Sequence, residues 1–167
     1  MKRTVFFLAL LLVVFNISAQ DKAARPSPPA QATATFGGKI ITIDYGQPSV
    51  KGREIFGKLV PYGQVWRAGA NETTVFTLSA DATVEGQKLA AGKYAFFVIP
   101  NEKEWTIIFN KTIKWGAFSY NQDEDVLRVN VPAQKAKSFA EKLTYEISNK
   151  GVVTLTWENT TASFKVK

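Results

Sequence analysis

The chain has 167 residues, a formal net charge of +7, and neither cysteine nor histidine. These absences exclude disulfide bonds, metal sites built on thiolate or imidazole, and catalytic triads that need either residue. Any catalysis would have to use carboxylates, lysine, tyrosine or arginine, and we favour a protein that is not an enzyme. The basic residues are scattered without long runs, which argues against nucleic acid as a partner.

The N-terminal segment, residues 1–19, is predicted to be a secretory signal peptide. Lys2 and Arg3 form its positive start, residues 5–15 its apolar stretch, and Ser18-Ala19 the small residues before a cleavage site. The apolar run is shorter than the roughly 20 residues that span a bilayer, so we expect no stable membrane insertion after cleavage. The protein is therefore expected to be exported, to the periplasm or the outside of a bacterium.

A polar, proline-rich segment over residues 20–32 is predicted to be a linker. Pro26, Pro28 and Pro29 favour an extended, poorly packed chain there. A single domain is expected over residues 33–167, which is long enough to bury a core without disulfide bonds.

The domain is predicted to be all-β. In chain order, strands are expected at residues 35–45, 73–80, 93–99, 105–110, 125–131, 143–147, 153–157 and 164–166, and residues 81–89 are expected to hold a short strand and a turn at Glu85-Gly86. Apolar residues alternate in most of them, whereas residues 93–99 are apolar on both faces, as in a central strand. Residues 132–138 are expected to be a connection, with at most one helical turn. About nine short strands with frequent turns favour an antiparallel β-sandwich of jelly-roll type over a closed barrel.

One loop concentrates the chemistry of recognition. Trp66 offers a flat ring, Arg67 a planar set of donors, Asn71 an amide and Glu72 a carboxylate, all within seven positions. These residue types suit a binding site for a small polar ligand. A structural role is the alternative, in which Trp66 packs in the core, Asn71 caps a turn and Glu72 closes the loop on Arg67.

A second loop, residues 110–123, carries Trp115 and Tyr120. If it lies at the same end of the sandwich as residues 46–72, the two loops form a cleft with aromatic and polar walls, which suits sugars and other flat ligands. The alternative is that the aromatic rings close the end of the core.

Three cations of the first loop are a candidate anion site. Lys51, Arg53 and Arg67 together would suit a carboxylate, sulfate or phosphate group. Ordinary salt bridges to neighbouring carboxylates are the alternative.

We expect no cofactor and no metal. The G-x-x-x-x-G-K-[ST] motif that binds nucleotide phosphates is absent. Asn121, Asp123 and Asp125 have the spacing that begins a calcium loop. Val126 and Pro132, however, stand where that loop needs glycine and glutamate.

Several short motifs resemble one known family. They are YG-x-PS at 45–49, KGR-x-IFG at 51–57, LVPYG-x-VWR-x-GANE at 59–72, AG-x-Y at 91–94, WT at 105–106 and FNK at 109–111. Over residues 33–167 the chain resembles the secreted bacterial family of domains of unknown function numbered 2911, found mainly in Bacteroidetes. The resemblance implies an exported, β-rich domain, and it carries no established activity, substrate or catalytic residue.

These observations lead to a functional hypothesis. The protein is expected to be a non-catalytic binding module for a small polar ligand or glycan. Its loop 61–72 would stack the ligand on Trp66 and hydrogen-bond it through Arg67 and Asn71, with Glu72 orienting Arg67 or accepting from the ligand. The alternatives are an enzyme that uses carboxylates and arginine in the same cleft, such as a glycan hydrolase, and a structural protein of the cell envelope.

Overall fold

The structure is a computed structural model that describes residues 25–167, so the predicted signal peptide and the first part of the predicted linker lie outside the described residues. The strands are β1 (Pro29–Phe36), β2 (Lys39–Gly46), β3 (Val75–Leu78), β4 (Ala82–Val84), β5 (Gln87–Leu89), β6 (Gly92–Ile99), β7 (Glu104–Asn110), β8 (Asp125–Ile147) and β9 (Val152–Lys165). Two short 3-10 turns, Ala117–Ser119 and Gln122–Glu124, precede β8. In this part of the chain no helix is long and apolar enough to cross a membrane.

Seven strands form one antiparallel sheet in the order β1-β2-β3-β6-β7-β8-β9, and β4 pairs with β5 in a separate hairpin. The all-β, antiparallel prediction with about nine strands is confirmed. The hairpin attaches to the end of the chain, because Thr83 and Lys167 exchange two backbone hydrogen bonds of 2.9 Å each.

The sheet curls because β8 is long and bent. Its first part pairs with β7 and its later part with β9, with register shifts on both sides of Ala140. Near its end, the amide of Leu143 donates to the carbonyl of Pro48 and Val50 donates to Glu141. The strand therefore connects the last strands of the sheet to the segment that follows β2. The prediction that residues 132–138 form a connection was wrong, because they continue β8.

β9 doubles back on itself near Glu158, whose φ of +54° lies in the left-handed region. The hydroxyl groups of Thr154 and Ser163 lie 2.8 Å apart, and the amide of Val166 donates to the carbonyl of Gly151 across 2.8 Å. Both limbs of β9 therefore place alternate residues in the core and a row of hydroxyls outside.

Aromatic rings join the two sides of the core. Phe164 on β9 packs against Phe76, Phe96 and Phe109, with ring centroids 5.9–6.2 Å apart. Strands β3, β6 and β7 thus face β9 across one core, and Tyr45 on β2 meets Tyr145 on β8 with ring centroids 4.7 Å apart. A single curled sheet therefore folds over one shared core. Burying rings of this size is a main source of stability in such a domain.

Two boundaries at the start of the domain differ from the prediction. The expected strand 35–45 is broken by a turn at Gly37 and Gly38, whose φ values of +51° and +77° favour glycine. In addition, β1 begins at Pro29, inside the expected linker 20–32. Proline is tolerated there because β1 is the last strand in the sheet order and Pro29 is its first residue.

Candidate functional site

The first part of the loop 61–72 lies along β6. Trp66 and Val98 exchange backbone hydrogen bonds of 2.8 and 2.9 Å, and the amide of Gly63 donates to the carbonyl of Pro100. The loop thereby continues along β6 beyond the residues that pair with β3. This pairing fixes the backbone on either side of Trp66.

The ring of Trp66 is partly buried and packs against the core. It stacks on Trp157 with centroids 5.8 Å apart and planes 16° apart, and its edge meets Phe56 at 5.9 Å. Trp66 was expected either to stack on a ligand or to pack in the core. In the structure the same ring packs against the core and lines a surface cleft.

The middle of the loop is fixed by backbone contacts. The carbonyl of Ala68 is buried and accepts hydrogen bonds from the hydroxyls of Tyr145, at 2.7 Å, and Thr74, at 3.1 Å. The amide of Ala70 donates to the carbonyl of Gly46, and a side chain at Gly46 would overlap the carbonyl oxygen of Ala70. Glycine at this point of β2 is therefore a requirement of the close approach.

Asn71 and Glu72 bind the N-terminal segment. The amide nitrogen of Asn71 donates to the carbonyl of Ser27 at 2.9 Å, and Arg25 Nη1 lies 2.8 Å from Glu72 Oε1. Both contacts tie residues 25–27 to the loop, beside the start of β1.

The loop 110–123 lies against the loop 61–72. The hydroxyl of Thr73 donates to the carbonyl of Lys114. Gly116 lies beside Arg67, since a β-carbon built on Gly116 would be 3.2 Å from Arg67 Nη1. The second loop therefore forms a wall next to the arginine.

A cleft of about 170 Å³ opens between these loops. Its walls are mostly apolar and consist of Leu59, Val60, Pro61, Gln64, Val65, Trp66, Arg67, Ala117 and Phe118. Arg67 Nε is buried, and within residues 25–167 it has no hydrogen-bond partner. The cleft therefore combines apolar walls with one guanidinium group, an arrangement that suits an apolar ligand carrying an anionic group.

Trp115 and Tyr120 lie outside the walls of this cleft. Trp115 is 65% exposed. Tyr120 packs on Phe97 with centroids 5.2 Å apart, and its hydroxyl donates to Asp125 at 2.6 Å. Burial and the hydrogen bond to Asp125 raise the pKa of Tyr120 to about 12, so it stays protonated near neutral pH.

Lys51 and Arg53 line a different cleft, of about 250 Å³, together with Ser49 and the segment Pro26-Ser27. The guanidinium of Arg53 donates to the backbone carbonyls of Val50 and Ser49, at 3.0 and 2.6 Å. Arg67 is absent from that wall. The structure therefore does not bring Lys51, Arg53 and Arg67 together in one anion site.

Sequence reasoning centred on polar groups and missed the apolar walls of the Arg67 cleft. Leu59 and Phe118 are exposed, although their types favour burial. The sequence signal that could have indicated these walls was the presence of an apolar residue in each of two glycine-containing loops. The described residues contain no group of three or more acidic side chains placed to hold a metal ion.

The fold and the cleft define a class: an all-β domain with a small surface cleft that encloses one arginine. Residues 27–166 match the family described as "Protein of unknown function (DUF2911)", and the chain belongs to that family. No curated protein and no solved structure matches the chain.

Proposed function

We propose that the protein is a non-catalytic binding module that is exported from the cell and holds a small molecule in the Arg67 cleft. The observation that carries this proposal is a cleft with mostly apolar walls that includes one arginine, Arg67, and no carboxylate. The Nε of Arg67 is buried and has no hydrogen-bond partner within residues 25–167. A carboxylate on a bound ligand would pair with the guanidinium in a charge-assisted hydrogen bond.

The walls support a particular kind of ligand. A cavity of about 150 Å³ holds a molecule the size of benzene, and the cleft has about 170 Å³. A ring-sized apolar group carrying a carboxylate therefore suits both the volume and the arginine. These dimensions favour the small-ligand form of the hypothesis over a glycan.

The alternative functions have weaker support. The residues that line the cleft include no aspartate or glutamate, so a carboxylate-based hydrolase gains nothing from this arrangement. Ala68, Asn71 and Glu72 contact Tyr145, Ser27 and Arg25, and these contacts hold the loop in place. None of the three residues lines the cleft, so their structural role is compatible with a ligand bound beside Arg67.

The proposal is tested by titrating the protein with benzoate and with neutral benzamide, using calorimetry. We expect benzoate to bind more tightly than benzamide. Arg67→Met removes the donors but keeps an unbranched chain, and it should weaken benzoate binding roughly tenfold to a hundredfold, because a hydrogen bond to a charged group contributes about 1.5–3 kcal/mol.

Arg53→Met is the matched control, because Arg53 lies in the other cleft. It should leave benzoate affinity unchanged. The proposal fails if folded Arg67→Met binds benzoate as tightly as the unmodified protein, or if neither benzoate nor other small aromatic carboxylates bind the unmodified protein.

A further inference from the structure

Large apolar side chains are exposed on the loops that border the Arg67 cleft. Within residues 25–167, eight large hydrophobic side chains are exposed, and five of them lie on the loops that border the cleft. These five, which we name the apolar rim, are Leu59, Tyr62, Ile113, Trp115 and Phe118. Phe118 is 92% exposed. Such a cluster is typical of a surface that binds a partner or a membrane.

The same loops are positively charged. Residues 57–71 and 111–122 contain Lys58, Arg67, Lys111 and Lys114 but no aspartate or glutamate. Lys111 lies 3.3 Å from Glu124, which also attracts Lys114, and Glu54, Glu102 and Glu158 lie close enough to act on Tyr62. Lys58 and Lys114 themselves form no salt bridge within the described part of the chain. These two lysines can therefore pair with an anionic partner.

Local contacts hold the rim in place. Leu59 and Phe118 line the same cleft from different loops. The hydroxyl of Ser119 donates to the carbonyls of Trp115 and Gly116, at 3.3 and 3.1 Å, within a short 3-10 turn. This turn presents Trp115 and Phe118 on one tight bend of the chain.

We propose that the apolar rim docks on the surface of an anionic phospholipid bilayer. Trp115, Phe118 and Leu59 enter the interfacial region, where tryptophan is favoured because its ring is apolar and its N–H is polar. Lys58 and Lys114 lie near the lipid phosphates. Each lysine near such a surface strengthens binding several-fold. The charge of the loops selects an anionic lipid surface over a neutral one.

This docking is peripheral and does not depend on a ligand in the cleft. Leu59 and Phe118 belong to both surfaces, whereas Lys114 lies outside the cleft wall and the small-molecule site depends on the guanidinium of Arg67. Vesicle binding and benzoate titration therefore test the two proposals separately.

The experiment uses protein purified after export, with its N-terminus determined by mass spectrometry so that a retained apolar leader cannot cause binding. It is sedimented with vesicles of pure phosphatidylcholine and with vesicles of equal parts phosphatidylcholine and phosphatidylglycerol. We expect binding to the anionic vesicles, weakened by salt, with a blue shift of tryptophan fluorescence that Trp115→Phe abolishes.

Matched substitutions locate the contact. Phe118→Ser should weaken vesicle binding about tenfold to a hundredfold, because the phenyl ring no longer leaves water for the apolar part of the interface. Phe139→Ser removes another exposed phenylalanine, on β8, and should have no effect. Lys114→Glu should weaken binding about tenfold by reversing one charge near the lipid. Lys150→Glu, in the turn between β8 and β9, should not.

Three results would overturn the proposal. The first is the absence of binding to the anionic vesicles. The second is equal binding by Phe118→Ser and Phe139→Ser. The third is a dimer, detected by light scattering, that Phe118→Ser dissociates while vesicles fail to bind, which would make the rim an interface between two copies of the chain.

Discussion

The hydroxyl of Tyr145 donates a hydrogen bond of 2.7 Å to the carbonyl of Ala68, joining β8 to the middle of the loop 61–72. Burial raises the pKa of Tyr145 well above its ordinary value, so the hydroxyl remains a donor. We expect Tyr145→Phe to lower the free energy of unfolding by about 1–2 kcal/mol, because the Ala68 carbonyl keeps only its bond from Thr74. Urea denaturation followed by circular dichroism measures this loss.

Tyr45→Phe is a matched control for this prediction. The rings of Tyr45 and Tyr145 pack edge to face with centroids 4.7 Å apart. The Tyr45 hydroxyl accepts a long bond of 3.4 Å from Gln47 and also hydrogen-bonds with the backbone of Tyr145, but it is only partly buried, whereas the Tyr145 hydroxyl is buried. Loss of the Tyr45 hydroxyl should therefore cost less. Equal losses for the two variants would mean that the bond to Ala68 does not stabilise the loop.

The close approach of Gly46 and Ala70 makes a second prediction. A β-carbon on Gly46 would overlap the carbonyl oxygen of Ala70, which is backbone and cannot rotate away. Gly46→Ala should destabilise the protein by about 3 kcal/mol or more, because overpacked sites must shift their backbone. Thermal unfolding measures the change.

Gly52→Ala is the comparison, because a β-carbon on Gly52 meets nothing within 4 Å. Its φ of +69° alone should cost about 1–2 kcal/mol. If Gly46→Ala were no more destabilising than Gly52→Ala, the backbone contact between β2 and the loop would not be a close one in solution.

Much of the fold was predictable because alternation is a local signal. Leu127, Val129 and Val131 alternate with polar neighbours, and the structure buries all three on one face of β8. The turn at Gly37-Gly38 was missed because apolar and threonine residues flank it on both sides. The pairing of Pro29 in β1 was missed because it depends on a partner strand, which composition does not reveal.

The candidate site was predictable only in part. Trp66 and Arg67 are adjacent in the chain, and both line the cleft. The position of Arg53 depended on how the segment after β2 folds, which the sequence does not show. In the structure its guanidinium donates to the carbonyls of Val50 and Ser49 and does not line the cleft of Arg67. The wall formed by Phe118 depends on the docking of a second loop, which is a tertiary event with no local pattern.

The four tryptophans should differ in their access to a quencher. Trp105 and Trp157 are buried, Trp66 is partly buried, and Trp115 is 65% exposed. In acrylamide quenching of fluorescence, Trp115→Phe should therefore remove most of the quenchable fraction. Trp66→Phe should remove little of it and should destabilise the protein, because the ring stacks on Trp157.

A large loss of quenchable fluorescence in Trp66→Phe, with unchanged stability, would contradict this assignment. It would mean that the ring leaves Trp157 in solution and faces water. The loop would then present a free aromatic platform, and sugars would become suitable probes for it.

The stability of the protein at high pH should depend on Tyr120. Burial and the hydrogen bond to Asp125 raise the pKa of Tyr120 from 10.0 to about 12, so the folded state favours the protonated hydroxyl. The unfolded chain loses this proton near its ordinary pKa of about 10. The stabilisation is therefore fully present below about pH 10 and is lost as the pH rises through about 12.

In Tyr120→Phe the fall in unfolding free energy between these pH values should be shallower, as followed by urea denaturation at successive pH values. The buried tyrosines Tyr45 and Tyr145 remain in both proteins, so the difference between the two curves isolates Tyr120. Asp125→Asn is a second test, because it removes the negative charge that raises the pKa of Tyr120. A titration that follows tyrosinate absorbance should give a lower pKa for Tyr120 in this variant. Parallel stability curves for the unmodified protein and Tyr120→Phe would show that the hydroxyl does not bond to Asp125 in solution.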